Sequence, residues 1–275
     1  MNLIDHLFKK GKNNLSIYFT AGYPKLNSTK KIIQLLQKYK VNLIEIGLPY
    51  SDPMADGLII QKSNKKALKN GMNPDQLFSQ LQLIQNEIQV PLILMGYYNQ
   101  FFKFGEEYFL NCCKKSGISG IIFPDLPIEI YKEKYQKLFE KYELYFICLV
   151  TSQTTDNRII LLSNISKGFL YVVSSISTTG STTGSTTGST TGSTTGSTTG
   201  STTGKKKDTL IFLNRINQLN LSIPTLIGFG IANKNSFNLA CQYANGGIIG
   251  SAFIQSLDEN DLEGSIHRFI ASILY

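Results

Sequence analysis

The sequence predicts an α/β protein whose parallel strands close into a barrel. Eight short apolar runs recur along the chain, and each is followed by a stretch with helical spacing of apolar residues. Short strands that are apolar throughout are typical of parallel strands covered on both faces. Eight such units in 275 residues favour a closed barrel, which needs roughly 250 residues, over an open sheet. We therefore expect one domain over residues 1–275, a single (β/α)8 TIM barrel with an extra N-terminal helix.

The positions of the elements follow from these patterns. The strands are expected at 15–20, from 42 onward, and at 91–95, 118–123, 144–150, 168–173, 223–227 and 247–249. The helices are expected at 1–10, 27–39, 59–70, 74–87, 105–115, 128–141, 156–163, 206–219, 233–242 and 260–273. Glycine and proline residues separate the predicted elements, as at Gly71–Pro74.

Net charge, hydropathy and cysteine spacing indicate where the protein works and which partners to expect. The net charge is +8, but the cations are mostly lysines dispersed over predicted helices, so a lysine-rich composition explains the charge better than nucleic-acid binding does. No apolar run could span a membrane, and the first ten residues lack the apolar core of a signal peptide. The cysteines lack metal-ligand spacing, which indicates free thiols in a reducing compartment: Cys112, Cys113, Cys148 and Cys241. We expect a cytoplasmic protein, with the plastid stroma as the alternative, and neither a membrane nor a nucleic-acid partner.

A glutamate lies inside the second strand. A buried carboxylate is unfavourable unless it is paired, hydrogen-bonded or protonated, and burial raises its pKa toward neutrality, where it can transfer protons. Asp56 follows Glu45 by eleven residues on the exit loop, so the two side chains can face one cavity. The simpler alternatives are a salt-bridged Glu45 at a strand end and aspartates, Asp52 and Asp56, that serve the turn.

Glycine-rich segments follow the seventh and eighth strands. They are Gly228–Gly230 and Gly250–Ser251. Loops after these two strands commonly bind phosphate in such barrels, through backbone N–H groups and the N-terminus of a short helix. Tight turns needed for packing are the alternative, but two such segments at the two expected strands favour a phosphate site.

Residues 177–204 consist of seven tandem copies of Ser-Thr-Thr-Gly. This low-complexity segment is expected to be a disordered insertion in the loop after the sixth strand. Lengthening a loop about threefold costs only about 1 kcal/mol, so the barrel should still fold.

The run Ile44–Gly57, with Glu45 and Asp56 inside it, resembles the signature of the tryptophan synthase alpha subunit. The similarity extends over essentially the whole chain outside the repeat, through Tyr18–Pro24, Met95–Asn99, Pro124–Pro127 and the two glycine segments. It implies a lyase of tryptophan biosynthesis that cleaves indole-3-glycerol phosphate to indole and glyceraldehyde 3-phosphate by a retro-aldol reaction. It implies neither a metal nor an organic cofactor.

The resemblance also implies roles for individual residues. Glu45 would move protons at indole C3 and at the glycerol hydroxyl, Asp56 would accept the indole N–H, and Tyr171 would lie beside the glutamate as a third catalytic residue. The implied phosphate ligands are Gly180, Gly228, Gly230, Gly250 and Ser251. The implied walls of the indole pocket are Tyr18, Leu94, Leu126 and Phe229, and Thr179 belongs to the implied lid loop.

The sequence departs from the family pattern at two loops. The lid motif lacks its usual arginine and first glycine, and the repeat offers several Thr-Gly pairs, of which Thr179-Gly180 has the expected distance from Tyr171. Leu58 stands where proline is usual, which could loosen the Asp56 loop.

The partner implied by the resemblance is the pyridoxal-phosphate-dependent beta subunit, in an α2β2 tetramer. The loops Asp52–Leu58 and Tyr98–Phe104 would face it, with Asp52, Pro53 and Asn99 as contacts. Two alternatives stay open on the sequence: another phosphate-binding barrel enzyme, and a weakly catalytic or non-catalytic subunit that only binds and activates the beta subunit.

Overall fold

Parallel strands form the centre of the molecule. The computed structural model describes residues 2–53, 56–174, 202–228 and 230–275, with the backbone alone for 202–206. The strands are β1 (Asn14–Thr20), β2 (Leu43–Gly47), β3 (Leu92–Met95), β4 (Ile118–Ile122), β5 (Tyr145–Phe146), β6 (Leu149–Thr151), β7 (Leu170–Val173), β8 (Thr225–Gly228) and β9 (Gly246–Ile249). They form one sheet in the order β5-β4-β3-β2-β1-β9-β8-β7-β6, and each pairing is parallel.

The sheet closes on itself through the segment that contains β5 and β6. These two strands stand at opposite ends of the order, yet only Ile147 and Cys148 separate them along the chain. The Ile147 N–H donates to the Ile121 carbonyl at 3.0 Å on one side, and the Tyr171 N–H donates to the Cys148 carbonyl at 2.9 Å on the other. One extended segment therefore joins β4 to β7 and acts as the fifth barrel strand, which confirms the predicted (β/α)8 barrel.

Helices surround this barrel. They are α1 (Leu3–Lys10), α2 (Ser28–Lys38), α3 (Leu58–Lys69), α4 (Pro74–Gln82), α5 (Tyr98–Phe104), α6 (Glu106–Lys115), α7 (Ile128–Ile130), α8 (Gln136–Lys141), α9 (Asp156–Ile165), α10 (Thr202–Gln218), α11 (Lys234–Tyr243), α12 (Ser251–Ser256) and α13 (Leu262–Leu274). A 3₁₀ turn, Gln85–Glu87, follows α4, and a π-helical segment, Tyr131–Tyr135, joins α7 to α8.

Local sequence explains where several helices begin and end. The Asn73 side chain accepts a hydrogen bond from the Gln76 N–H, and Pro74 occupies the first turn of α4, where its missing N–H is harmless. Asn233 caps α11 in the same way. Helix α5 ends at Gly105, whose φ of 92° lies in the left-handed region that glycine adopts readily.

Two expectations from the sequence are corrected by these boundaries. The segment Tyr98–Phe104 was expected to be a loop, but it forms α5. The repeat was expected to remain irregular through Gly204, but α10 begins at Thr202, within the last copy. The other repeat residues, 177–201, lie outside the described part of the chain.

Apolar side chains pack in two layers, one inside the barrel and one between the barrel and its helices. Along β3, Ile93 belongs to the inner layer, whereas Leu92 and Leu94 belong to the outer layer, as the period of two along a strand requires. Ile4 and Leu7 of α1 also join the inner layer. Because the Asn2 side chain donates to the Ser119 carbonyl near the start of β4 at 2.8 Å, α1 covers the amino-terminal end of the barrel.

Among the described residues, no helix combines the length and the apolar character that crossing a bilayer requires.

Candidate active site

Glu45 projects into the barrel from β2. Its register partners are Tyr18 on β1 and Ile93 on β3, and both neighbours belong to the inner layer. The Glu45 side chain is fully buried, and neither of its carboxyl oxygens has a hydrogen-bond partner among the described residues. Burial raises the pKa of Glu45 from 4.5 to about 8. The carboxyl group is therefore mostly protonated at neutral pH and can donate a proton as well as accept one.

Asp56 approaches the same interior from the loop between β2 and α3. Two amides of α3 hold it: Asn64 Nδ2 donates to Asp56 Oδ2 at 3.1 Å, and Gln61 Nε2 donates to the Asp56 backbone carbonyl at 2.8 Å. Partial burial raises the pKa of Asp56, while hydrogen bonds from Asn64 and from the Tyr97 side chain oppose that rise. The site thus contains two carboxyl groups with different surroundings, as acid–base chemistry at one centre requires.

Two buried tyrosines of the inner layer, Tyr18 and Tyr171, interact electrostatically with both carboxyl groups. Burial raises the pKa of Tyr18 well above 10, and the charge of Asp56 raises it further. Burial also raises the pKa of Tyr171, with Glu45 as the next contribution. Both phenols therefore stay neutral over the physiological pH range and can donate hydrogen bonds inside an otherwise apolar space.

Glycines make room for the two tyrosines. A Cβ atom at Gly47 would collide with the Tyr18 hydroxyl, and one at Gly228 would collide with the Tyr171 hydroxyl. Gly228 was predicted as a phosphate ligand; neither it nor Glu45 is among the residues that line the cavity described below, and the role of Gly228 as a phosphate ligand stays a prediction. Its small size therefore has a packing reason at this position.

A cavity of about 190 Å³ opens at the carboxyl ends of the strands. Its wall contains six of the predicted site residues: Tyr18, Asp56, Tyr171, Gly230, Gly250 and Ser251. The remaining wall residues are Ile60, Met95, Ile231, Ala232, Ile248, Ala252 and Gln255. The wall is thus apolar on most sides, with one carboxyl group and a glycine-rich edge.

The glycine-rich edge is formed by the segments after β8 and β9. Gly230 has a φ of 77°, which favours glycine. Helix α12 begins at Ser251 directly after Gly250, and both residues line the cavity. The first N–H groups of a helix have no partner within the helix, so they can bind an anion.

The structure corrects two predicted walls of the pocket. Leu94 and Leu126 both lie in the outer layer, so neither side chain reaches the cavity. Met95, one residue after Leu94, packs against the inner layer and lines the cavity instead. The prediction placed the wall of β3 one residue too early, and a shift of one residue along a strand exchanges its two faces.

Three predicted residues lie outside the part of the chain that the structure describes. They are Phe229, Thr179 and Gly180. Their roles as pocket wall, lid residue and phosphate ligand stay predictions.

Several residues of the site were not found from the sequence. The alternation along β3 and β9, which turns Ile93 and Ile248 inward, could have identified Met95 and Ile248. No sequence signal separates Asn64 from the other polar residues of α3.

Within the described residues, no group of three or more histidine, cysteine, aspartate and glutamate side chains is arranged to hold a metal ion.

Comparison with known proteins shows where this arrangement belongs. The family model for the tryptophan synthase alpha chain matches residues 4–194 and 189–272. The tryptophan synthase alpha chain of Karelsulcia muelleri (strain GWSS) is 50% identical over 275 residues, 100% of both chains. This chain belongs to the tryptophan synthase alpha chain family. The tryptophan synthase alpha chain of Christiangramia forsetii is 48% identical over 260 residues, 94% of each chain.

A solved structure supports the same membership of the tryptophan synthase alpha chain family. The tryptophan synthase A-subunit from Pyrococcus furiosus has a TM-score of 0.81 at 27% identity, and the match covers 96% of this chain and 98% of that chain. Family membership decides against the alternative of a different phosphate-binding barrel enzyme. The two ranges that match the family model overlap at 189–194, inside the repeat, so the similarity continues on both sides of it.

Proposed function

We propose that this protein is the alpha subunit of tryptophan synthase, a lyase that cleaves indole-3-glycerol phosphate to indole and glyceraldehyde 3-phosphate in tryptophan biosynthesis. The observation that carries the residue roles is the pair of Glu45 and Asp56. One carboxyl group is fully buried and has a pKa of about 8, and the other lines an apolar cavity that ends at a helix N-terminus.

Glu45 moves the protons of the retro-aldol reaction. Its protonated carboxyl group donates to indole C3, which interrupts the aromatic ring system and prepares the bond between C3 and the glycerol chain for cleavage. The resulting carboxylate takes the proton from the adjacent glycerol hydroxyl. A carbonyl then forms on the glycerol fragment, and the electron pair of the breaking C–C bond returns to the indole ring. A pKa near the working pH suits both steps.

Asp56 stabilises the charge that appears on the indole nitrogen. As C3 gains a proton, the ring N–H becomes more acidic, and an ionised carboxylate beside it accepts its hydrogen bond most strongly at that moment. Tyr171 supplies a neutral phenol that interacts with Glu45. Burial raises the pKa of Tyr171, and the charge of Glu45 raises it further. We assign Tyr171 to orienting the glutamate and the substrate hydroxyl.

The rest of the cavity fixes the two ends of the substrate. Tyr18, Met95 and Ile248 offer an apolar surface for the indole ring. Gly230, Gly250 and Ser251 offer backbone N–H groups, and Ser251 adds a hydroxyl, for the phosphate. Thr179, Gly180 and Phe229 complete this assignment as proposals from family resemblance.

The beta subunit of tryptophan synthase is the proposed partner, in an α2β2 tetramer. Asp52 and Asn99 are exposed, and Asn99 Nδ2 donates to the Tyr50 hydroxyl at 3.1 Å. Leu58 and Phe102 are large apolar side chains that are 75% and 55% exposed, which suits a protein interface. The loop after β2 and helix α5 therefore form one candidate contact surface, with Asp52, Pro53 and Asn99 as the proposed contacts.

The proposed location is the cytoplasm. The four cysteines are unpaired, and three of them are buried, as in a protein that works in a reducing compartment.

The test is an assay of both products. The purified chain is incubated with indole-3-glycerol phosphate, with and without a tryptophan synthase beta subunit, and indole and glyceraldehyde 3-phosphate are measured. Equal amounts of the two products support the lyase. Stimulation of the beta subunit without either product would show instead a subunit that binds and activates its partner but does not cleave the substrate.

A further inference from the structure

Asn64 lies on α3 and is only 2% exposed. Its Nδ2 donates to Asp56 Oδ2 at 3.1 Å, while Gln61 of the same helix donates to the Asp56 backbone carbonyl at 2.8 Å. One helix thus holds both the side chain and the main chain of a loop residue. A carboxyl group on a loop can rotate away from a cavity, and of these two bonds the one from Asn64 acts on the carboxyl group itself, while the one from Gln61 holds its main chain.

We propose that Asn64 is a positioning residue, whose side-chain amide fixes the Asp56 carboxylate toward the cavity. The placement rests on geometry alone. The consequence for catalysis rests on the proposed function, because it assumes that ionised Asp56 accepts the indole N–H.

The surroundings of Asp56 explain why an amide is needed there. Among the described residues, the titratable groups that interact with Asp56 are Tyr97, Tyr18 on β1 and Tyr171 on β7, and Glu45 on β2 belongs to the same cluster. All are neutral or acidic, so none supplies a positive charge. Burial raises the pKa of Asp56, and the Asn64 amide is the largest of the contributions that oppose it. Asn64 therefore helps to keep Asp56 ionised.

The carbonyl oxygen of the Asn64 side-chain amide gives a second reason to assign Asn64 a positioning role at Asp56. Its Oδ1 is buried and has no hydrogen-bond partner among the described residues. An unpaired buried oxygen is unfavourable by about 1–3 kcal/mol. A side chain kept at such a position is better explained by what its Nδ2 does for Asp56 than by the stability of the core.

The direct test measures the titration of Asp56 itself. The carboxyl ¹³C resonance of Asp56 is followed against pH in aspartate-labelled protein and assigned with an Asp56→Asn variant. In Asn64→Leu, which keeps the approximate size but removes the donor, we expect the midpoint to rise by about one pH unit. In Asn64→Asp, which places a second carboxyl group there, we expect a larger rise. Asn64→Asp also decides the question if Asn64→Leu does not fold.

Asn70→Leu is the matched control. Asn70 caps the end of α3 and donates to the Gly22 and Pro24 carbonyls, so its loss removes hydrogen bonds from the same helix without touching Asp56. We expect no movement of the Asp56 midpoint in this variant. An unchanged midpoint in Asn64→Leu and Asn64→Asp, or an equal rise in Asn70→Leu, would overturn the proposal.

The pH profile of kcat/KM for indole release tests the consequence for catalysis. Activity that needs ionised Asp56 is lost as the pH falls through its pKa, so the acid limb in Asn64→Leu should move to higher pH by the same amount as the midpoint. A wild-type protein that releases no indole would refute the proposed function, while the ¹³C titration would still decide the role of Asn64. An active protein whose acid limb stays in place in Asn64→Leu would overturn the catalytic consequence.

Discussion

The buried carboxyl group of Glu45 makes the protein less stable as the pH rises, and glutamine at this position removes that effect. In the unfolded chain the carboxyl group ionises near 4.5, whereas in the folded protein it ionises near 8. Between these values the unfolded state releases a proton that the folded state keeps, so stability falls with rising pH. In Glu45→Gln nothing ionises at this position, and the variant should become increasingly more stable than the wild type.

The size of this effect follows from the two pKa values. Each pKa unit corresponds to about 1.4 kcal/mol, so the stability difference between Glu45→Gln and the wild type should grow by about 3–4 kcal/mol between pH 5 and pH 8. This value is an upper limit, since water that reaches the charged group in the folded state would reduce it. It is still a large fraction of the 5–15 kcal/mol typical of a whole protein.

The assay is urea unfolding of both proteins at pH 5 and pH 8. The other titrating groups are shared by the two proteins, so they cancel in the difference. Glu259→Gln is the control, because the pKa of that exposed carboxyl group is lowered by Lys66. Its removal should lower stability slightly and by nearly the same amount at pH 5 and pH 8, because a carboxyl group whose pKa is lowered from 4.5 is ionised over this whole range. A Glu45→Gln difference that stays constant from pH 5 to pH 8 would refute the reasoning that burial raises the pKa of Glu45.

Three further predictions test the cavity, its glycine-rich edge and the repeat. Met95→Ala should raise KM several-fold with little change in stability, whereas Leu94→Ala should lower the unfolding free energy by about 2–5 kcal/mol and leave KM unchanged. Urea unfolding measures the stability of each variant, and steady-state assays measure its KM. Equal effects of the two variants on KM would contradict the assignment of Met95 to the inner face of β3 and Leu94 to the outer face. Ser251→Asp should raise KM at least tenfold through repulsion of the substrate phosphate, while Ser251→Ala should raise it only a few-fold, and an unchanged KM in both would move the phosphate elsewhere. Deleting six of the seven repeat copies should speed indole release if this segment has the lid role that the family resemblance implies, because a shorter chain loses less entropy on closing over substrate. An unchanged rate would contradict that role for the repeat.

The sequence predicted the barrel well because its strands are short, apolar and bounded by turns. All eight expected strands are present, with the fifth divided into β5 and β6. Helix α5 was missed, since Tyr98–Phe104 is rich in aromatic residues and lacks a clear apolar face. It is fixed by contacts that no local pattern shows, such as the hydrogen bond from Gln100 Nε2 to the Pro49 carbonyl at 3.0 Å.

The site was predictable where chemistry conflicts with local structure. A glutamate within a buried strand stands out in the sequence, and so does a glycine pair after a late strand. The sequence did not show whether Leu94 or Met95 lines the cavity, since both are apolar and only the register of β3 decides which of them faces inward. Asn64 could not be found at all, because a polar residue in a lysine-rich helix is ordinary until the fold places it against Asp56.

The most direct test of the account is the rate of indole release by Glu45→Gln at saturating indole-3-glycerol phosphate, with a beta subunit present and the wild type measured beside it. The account predicts a fall in kcat of at least about 100-fold, the usual contribution of a general acid–base residue. It also predicts unimpaired folding and unimpaired stimulation of the beta subunit. A variant that releases indole at a rate near that of the wild type would contradict the assignment of the proton transfers to Glu45.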